Sequence, residues 1–464
     1  MDISDDGATL TRVEVPAVAP TTRPPISATP TSDRTLHPTG FHTMKRTLTA
    51  LIATAPVLAA SVASAGELYL LGAVQYSYST GASADGTVVS GYDRGSAWYW
   101  TKDSWVVRLT ESLPPGNGVG GSASIVDAGN VMTCSTLVGS EPTTAKAEAT
   151  LFNIPNVTYD PAIGSLGFNC DIERNGPWGM SPTGSHVCGL IWNSGCSASG
   201  FVWNAATDAI NLMPAKYFFK PTRANAISAD GNVVTGWNDD YVGWRQGCMW
   251  TRDPATGNYV AKLLTYSATA TDKLPEATAI SRDGVWIAGI SRSGLDSQAP
   301  WRWSAATGYQ SLGVPPVLGP GGATAVNANG TKILCFLGFA AAYGEGYIWI
   351  QGRGYVALEA YAAEFGVTIA PEWHLALPMA MSADERTIVG AARRDDGVFS
   401  PFVLDLHSGV ACVGDLNSDS AVNGADLGTL LGDWGQDTTS DLNGDNVVNG
   451  ADLGTLLGAW GNCP

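Results

Sequence analysis

The chain has 464 residues, a formal net charge of −17, only 14% charged residues, 55 glycines and 16 tryptophans. So acidic a surface excludes nucleic acid and anionic membranes as main partners and suits cations. The glycine- and aromatic-rich composition is that of a turn-rich, all-β extracellular protein, and eight cysteines fit an oxidising compartment.

Residues 1–43 are rich in Pro, Thr and Ser without hydrophobic periodicity, and are expected to be a disordered or mis-called extension. At Met44 the text changes to Lys45 and Arg46, an apolar run from Leu48 to Ala60, then Ala63-Ser64-Ala65. Charge, apolar core and small residues in that order predict a secretory signal over 44–65, with Gly66 first in the exported chain. Residues 1–65 hold five acids and five bases, so the net charge belongs wholly to residues 66–464. No other stretch approaches the ~18 apolar residues of a membrane span, so the mature chain is expected to be soluble and secreted. Its histidines, His186, His374 and His407, form no metal-ligand pattern with one another or with Cys, which argues against a zinc enzyme.

Between residues 66 and 407 one motif recurs. "ANAISADGNVVTG" (224–236) and "ATAISRDGVWIAG" (277–289) match plainly, and "ATAVNANGTKILC" (323–335) is their relative. Worn copies surround Gly86, Gly129, Gly184 and Glu385. The marker positions 86, 129, 184, 231, 284, 330 and 385 give a mean unit close to 50 residues. Each unit runs from a small/apolar strand through an Asp-Gly or Asn-Gly turn into a β-branched strand. Trp203, Trp250, Trp303 and Trp349 each stand 19 residues after the marker, and "PATG" (254–257) or "AATG" (305–308) leads to a fourth strand. Seven such units predict a seven-bladed β-propeller of four-stranded blades, because one such sheet buries only one face alone. Segments 67–76 and 401–406 are expected to close the ring. The insert 154–177 could hold an extra strand.

The repeat resembles the HAF family of extracellular repeats over about 340 residues, and the resemblance implies location rather than activity. The sialidase Asp-box differs by one residue, since Gly231 comes directly after Asp230, and no arginine triad accompanies it. Acids that break the repeat, Asp93, Asp239, Asp240, Glu345 and Glu372, are places to look for a site. Loop aromatics Trp192, Trp237 and Trp244 could stack on sugar rings, or pack between blades.

After a linker at 408–411, residues 412–464 carry a second, literal repeat: 17 of 22 aligned positions agree between 415–436 and 441–462. A 12-residue loop wraps one Ca²⁺ with oxygens from positions 1, 3, 5, 7, 9 and 12, the seventh a backbone carbonyl. Here these are Asp415, Asn417, Asp419, Ala421, Asn423 and Asp426, then Asp441, Asn443, Asp445, Val447, Asn449 and Asp452. Each loop runs into Leu-x-x-Leu-Leu, the stripe of an exiting helix. Position 6, usually Gly, is Ser420 or Asn446; Asn tolerates left-handed backbone better, so the first site is expected to be the weaker. Asp at position 12, no entering helix and tandem copies 26 residues apart resemble the dockerin family. That resemblance implies a calcium-folded α-helical module of a secreted, often polysaccharide-degrading protein that docks onto a cohesin-like partner. Gly424-Ala425 and Gly450-Ala451 stand where dockerins carry partner specificity, and no Lys or Arg occurs after Arg394, both departures from the family.

Cys412 and Cys463 flank the paired repeats and are expected to form a clasp, with Cys188 and Cys196 as a second pair around "CGLIWNSGC". Cys134 with Cys170 is a further possibility. Three functions compete for the propeller: a non-catalytic binding or scaffold module, a glycan-active hydrolase or lyase, and a structural envelope component. Binding is the reading adopted, with glycan cleavage as the runner-up; the sequence does not name the ligand, and glycan is one candidate for it.

Overall fold

The computed structural model describes residues 66–462 except 73–76, 94–95, 110–111, 114–122, 139–145, 172, 268–272, 291–298, 318, 320, 339–342, 408–413, 418–420 and 437. The signal segment, the linker, Asp419, Cys412 and Cys463 lie outside these. Seven antiparallel four-stranded sheets form a seven-bladed β-propeller. Blade 1 consists of Tyr78–Ala82, Val88–Tyr92, Ala97–Thr101 and Trp105–Arg108. Blades 2 to 6 open with Ser112–Leu113, Asn175–Met180, Thr222–Ile227, Ala277–Ile280 and Gly322–Val326. Thr158–Tyr159, inside the insert, is the fourth strand of blade 2 rather than an extra one. No helix among the described residues is long and apolar enough to cross a membrane.

The repeated motif is a turn with its own hydrogen-bond wiring. Ser228 Oγ donates to Asp230 Oδ1 at 2.7 Å, and the amides of Asn232 and Val233 donate back to Asp230 and Ser228. Ser83/Asp85, Ser281/Asp283 and Ser382/Asp384 repeat this arrangement. The marker glycine turns the chain at φ +72° at Gly231, where a Cβ would also lie 2.4 Å from the His186 ring of the preceding blade. Glu385 replaces it in the last copy at φ +63°, and its carboxylate meets Lys332 at 2.7 Å and the Asn327 amide at 2.8 Å on blade 6. These charged contacts to the neighbouring blade offset the left-handed backbone.

Blades adhere through apolar faces. Cys188, Val202 and Met213 of blade 3 pack on Ala224, Val234 and Trp250 of blade 4. Trp250 is fully buried and donates its indole N–H to Pro214 O at 2.9 Å, as Trp349 does to Leu312 O at 2.8 Å. Trp250 and Trp349 are thus inter-blade anchors, whereas Trp203, at the same spacing, is half-buried and donates to Asp208 of its own blade; truncating a fully buried ring costs about 3–5 kcal/mol.

The ring closes as the sequence predicts. Blade 7 takes its first three strands, Trp373–Met381, Thr387–Arg394 and Phe399–Asp405, from the end of the repeat region and its fourth, Glu67–Leu70, from the beginning. Glu67 pairs with Asp405 and Leu70 with Phe402. At this junction His407 lies between Asp384 Oδ2, 2.9 Å from Nε2, and Asp405 Oδ1, 2.5 Å from Nδ1. Hydrogen bonds to Asp384 and Asp405 raise its pKa from 6.5 to about 9. A pKa raised on folding stabilises the fold fully below about pH 6.5, and the contribution disappears as pH climbs through about 9. The stability advantage of the parent over His407→Gln is therefore expected to shrink between pH 6.5 and 9.5 in denaturant titrations. A constant difference across that window would refute the linkage.

One disulfide departs from expectation. Cys196 bonds Cys170, with Cα atoms 5.1 Å apart, and not Cys188. The hairpin places Cys188 opposite Val202 and Trp192 opposite Ala198, so Cys196 falls in the connecting loop beyond the ladder. Cys188 instead points into the interface between blades 3 and 4 and is a free buried thiol. Cys134 is likewise free and buried, not paired with Cys170, and burial pushes its pKa up to about 12.

Within residues 414–462, helices Gly424–Gly432 and Gly450–Gly458 come after the two acidic loops. Val422, Leu430, Val448 and Leu456 form their core, and Ala421–Val422 pairs with Gly461–Asn462.

Candidate functional site

Two places gather chemistry. The first is the pair of C-terminal loops. Asp452 is buried, and its carboxylate accepts from the amides of Leu442 (2.9 Å), Asn443 (3.1 Å) and Asn449 (2.7 Å). Asn449 Oδ1 accepts from Ala451 N at 2.8 Å, so Asn449 and Asp452 form a capping box at the helix start. Asp426 and Asn423 repeat these bonds in the first loop. The aspartate at position 12 thus has a folding role that the spacing Asn-x-x-Asp could have revealed.

Asp441 holds the second loop's bend, accepting from the amides of Gly444, Asp445 and Asn446, and Asn446 adopts φ +67°. The structure brings carboxylate oxygens of Asp441, Asp445 and Asp452 within 4.8 Å of one another. Asn443 and Asn449 both reach Asp445 Oδ2, and Asn449 also reaches Val447 O at 2.9 Å. Every donor in this set is a hard oxygen, three of them anionic, which fits Ca²⁺ and not a soft metal. In the first loop Asp415, Asn417, Ala421, Asn423 and Asp426 occupy the corresponding positions.

The second place is the propeller channel. In six blades the innermost strand slips register at the same point, as between Ala224 and Ala226 or Ala277 and Ala279. The extra residue of each bulge, Thr80, Trp178, Asn225, Thr278, Thr324 or Met379, lines a central cavity of about 330 Å³. These are the variable x of the A-x-A motif. Thr80, Asn225 and Thr278 also latch the next blade by donating to the carbonyls of Ala123, Ala277 and Ala323. At the turn end of the channel, Arg282 of blade 5 reaches across to Asp127 of blade 2 in an ion pair.

At the opposite end, blades 3 to 5 carry an ionic cluster. Arg223 Nη2 donates to Glu276 Oε1 at 2.5 Å and its Nε to Asn225 Oδ1 at 2.7 Å. Asn225 Nδ2 donates to Glu276 Oε1 at 2.9 Å, and Arg245 Nη1 to Oε2 at 3.3 Å. Arg223 stacks 3.6 Å over Trp178, and Arg245 lies 4.7 Å from the Trp237 ring. Burial pushes the Glu276 carboxyl up, but Arg223 and Arg245 outweigh it and hold the pKa below the usual range. Asp239, opposite Arg245 in the ladder, has a buried oxygen without a donor, and burial raises its pKa to about 6.

Of the acids singled out in the sequence, Asp239 and Asp240 lie at this end of blade 4. Asp93 is bound to Arg108 and the Ser96 amide in blade 1. Glu345 accepts from Tyr347, and Glu372 is exposed next to blade 7; neither joins the cluster. Trp237 is buried under the two arginines, Trp244 is exposed, and Trp192 packs beside Leu190 with Trp178. Arg223, Glu276, Trp178 and Asn225 escaped sequence reading. Their signal was departure from the repeat: Arg223 and Glu276 each precede the motif's first alanine, and the other two are its variable x.

No family model and no curated protein matches the sequence. Solved structures match in fold. Oligogalacturonate lyase from Vibrio parahaemolyticus aligns at 12% identity and TM-score 0.47 over 73% of this chain and 93% of that one. The β-propeller domain of the Trilobed protease from Pyrococcus furiosus aligns at 9% identity and TM-score 0.44, covering 71% and 96%. TolB from Acinetobacter baumannii aligns at 13% identity and TM-score 0.36 over 73% of this chain, which spans 65% of the TolB chain.

Proposed function

We propose that the protein is a secreted, calcium-binding, non-catalytic scaffold: a glycan-binding propeller joined to a dockerin-like docking module and linked to polysaccharide degradation. The observation that carries this reading is the convergence of Asp441, Asp445 and Asp452 in a loop whose sequence is written twice. Asp415, Asn417, Asp419, Asn423 and Asp426, with the carbonyl of Ala421, would hold one ion. The second loop's counterparts would hold the other. A cohesin-like partner would meet the helices, where Leu431 and Leu457 near their ends and Trp434 and Trp460 just after them are about half exposed. This duplicated apolar pair supports docking even though basic residues are absent there. The Cys412–Cys463 clasp belongs to the same reading.

Enzymatic glycan cleavage is the competing reading, favoured by the opposite pKa displacements of Asp239 and Glu276. Against it, both oxygens of Glu276 are already engaged by Arg223, Asn225 and Arg245, which leaves it poorly placed as nucleophile or base. Calorimetric titration of the full chain is expected to register two calcium sites, the tighter abolished by Asp441→Ala. A reducing-sugar assay on neutral and acidic polysaccharides should stay at background. Turnover on any of them would overturn the non-catalytic assignment, and a chain that takes up no calcium would overturn the docking module.

A further inference from the structure

Blade 4 presents an unusual surface beside the channel mouth. The loops 213–221 and 240–244 leave Phe218, Phe219, Tyr241 and Trp244 exposed by 73, 84, 67 and 56%. Contacts bind the two loops together: the Tyr217 and Tyr241 rings lie edge to face with centroids 5.2 Å apart, and Lys220 Nζ donates to Tyr241 O at 3.1 Å. Asp240 shapes the second loop by accepting from the amides of Val242 and Trp244. Phe219 holds φ +59°, a conformation disfavoured for a bulky side chain, yet its ring stands in solvent. Exposed rings held in this way mark an interaction surface.

The platform is continuous with the channel. Asp239, next to Asp240 in sequence, opposes Arg245 in the ladder; Arg245 covers Trp237 and reaches Glu276, which lines the cavity with Trp178 and Arg223. From this strip we infer that blade 4 is the propeller's glycan-binding face, taking a neutral polysaccharide whose chain runs over the aromatic platform toward the channel. The inference rests on the binding function proposed above and adds its location and ligand class.

Two features fix the ligand's chemistry. Rings alternate with amide, carboxylate and guanidinium groups, which suits a polymer with apolar C–H faces and hydroxyl edges better than the continuous apolar surface of a protein groove. Lys216, Lys220, Arg223 and Arg245 stand against Asp239, Asp240 and Glu276, so the strip is close to neutral on a chain of net charge −17. A polyanion would gain almost nothing locally and be repelled by the rest of the surface, whereas a neutral chain meets no such penalty.

Affinity electrophoresis of the full chain through gels containing hydroxyethylcellulose, galactomannan or polygalacturonate tests this. A neutral polymer is expected to retard the parent, with affinity falling at least tenfold in Tyr241→Ala and Trp244→Ala. Trp105→Ala, which removes an exposed aromatic from blade 1, should leave retardation unchanged. Retardation by a neutral polymer that survives both blade 4 substitutions would overturn the location while leaving glycan binding intact. Retardation by polygalacturonate alone would overturn the ligand class, and no retardation by any polymer would remove glycan binding itself.

Discussion

Chelation of calcium is expected to unfold residues 414–462 while the propeller stays intact. In the second loop three carboxylates face one another within 4.8 Å, and at neutral pH their mutual repulsion opposes the fold until a cation joins them. The remaining forces are small. Four fully buried side chains make the core, and each helix has nine residues, below the ~12–15 at which isolated helices become marginal. Metal at a hundred times its dissociation constant adds about 2.7 kcal/mol per site, comparable with what so small a core supplies. The far-UV helical signal should vanish with EGTA and return with calcium, whereas the near-UV spectrum of the propeller tryptophans should persist. Asp452→Ala should be the most damaging single change. It deletes a donor to the ion and also the acceptor of three backbone amides, a capping loss that alone costs about 1 kcal/mol. A helical spectrum indifferent to EGTA would defeat the idea.

The same contrast between repeated and unrepeated residues governs how much of the molecule could be read in advance. The seven blades were legible because a propeller imposes the same local problem seven times, and in four of them Ser and Asp solve it with the same turn bonds. Ring closure was legible as well, since an apolar strand before the first unit had no partner unless the last blade supplied one. The channel cluster was not, because a repeat marks positions that geometry fixes, whereas Trp178, Asn225, Arg223 and Glu276 sit where geometry leaves the residue free. The bulge turns Trp178 and Asn225 toward the axis, and Arg223 and Glu276 stand just before the motif, so no repeated residue announces any of them. The disulfide failed for a related reason. A spacing of eight positions from Cys188 to Cys196 looks like a hairpin, but register decides which side chains face each other, and it sends Cys188 into a blade interface.

Removing Glu276 is expected to destabilise the propeller as severely as truncating an inter-blade tryptophan. Its side chain and that of Arg223 are only 7% and 4% exposed, and its two oxygens answer Arg223, Asn225 and Arg245 together. Glu276→Ala would strand the Arg223 guanidinium between Trp178 and Asn225 without a counter-charge. Breaking a buried pair in this way costs about 3–5 kcal/mol, most of it the penalty of an uncompensated charge rather than the worth of the pair. For that reason the double change Arg223→Met with Glu276→Leu should recover much of the loss. Guanidinium chloride unfolding reads both, provided the slope against denaturant is unchanged from the parent. The depressed pKa of Glu276 supplies a second signature. A carboxyl held below its ordinary 4.5 stabilises the fold above that pH and loses the contribution on acidification, so the gap between parent and Glu276→Ala should narrow as pH falls below about 4.5. A Glu276→Ala protein within about 1 kcal/mol of the parent at pH 7 would show that the cluster is hydrated and does not carry the buried charge described here.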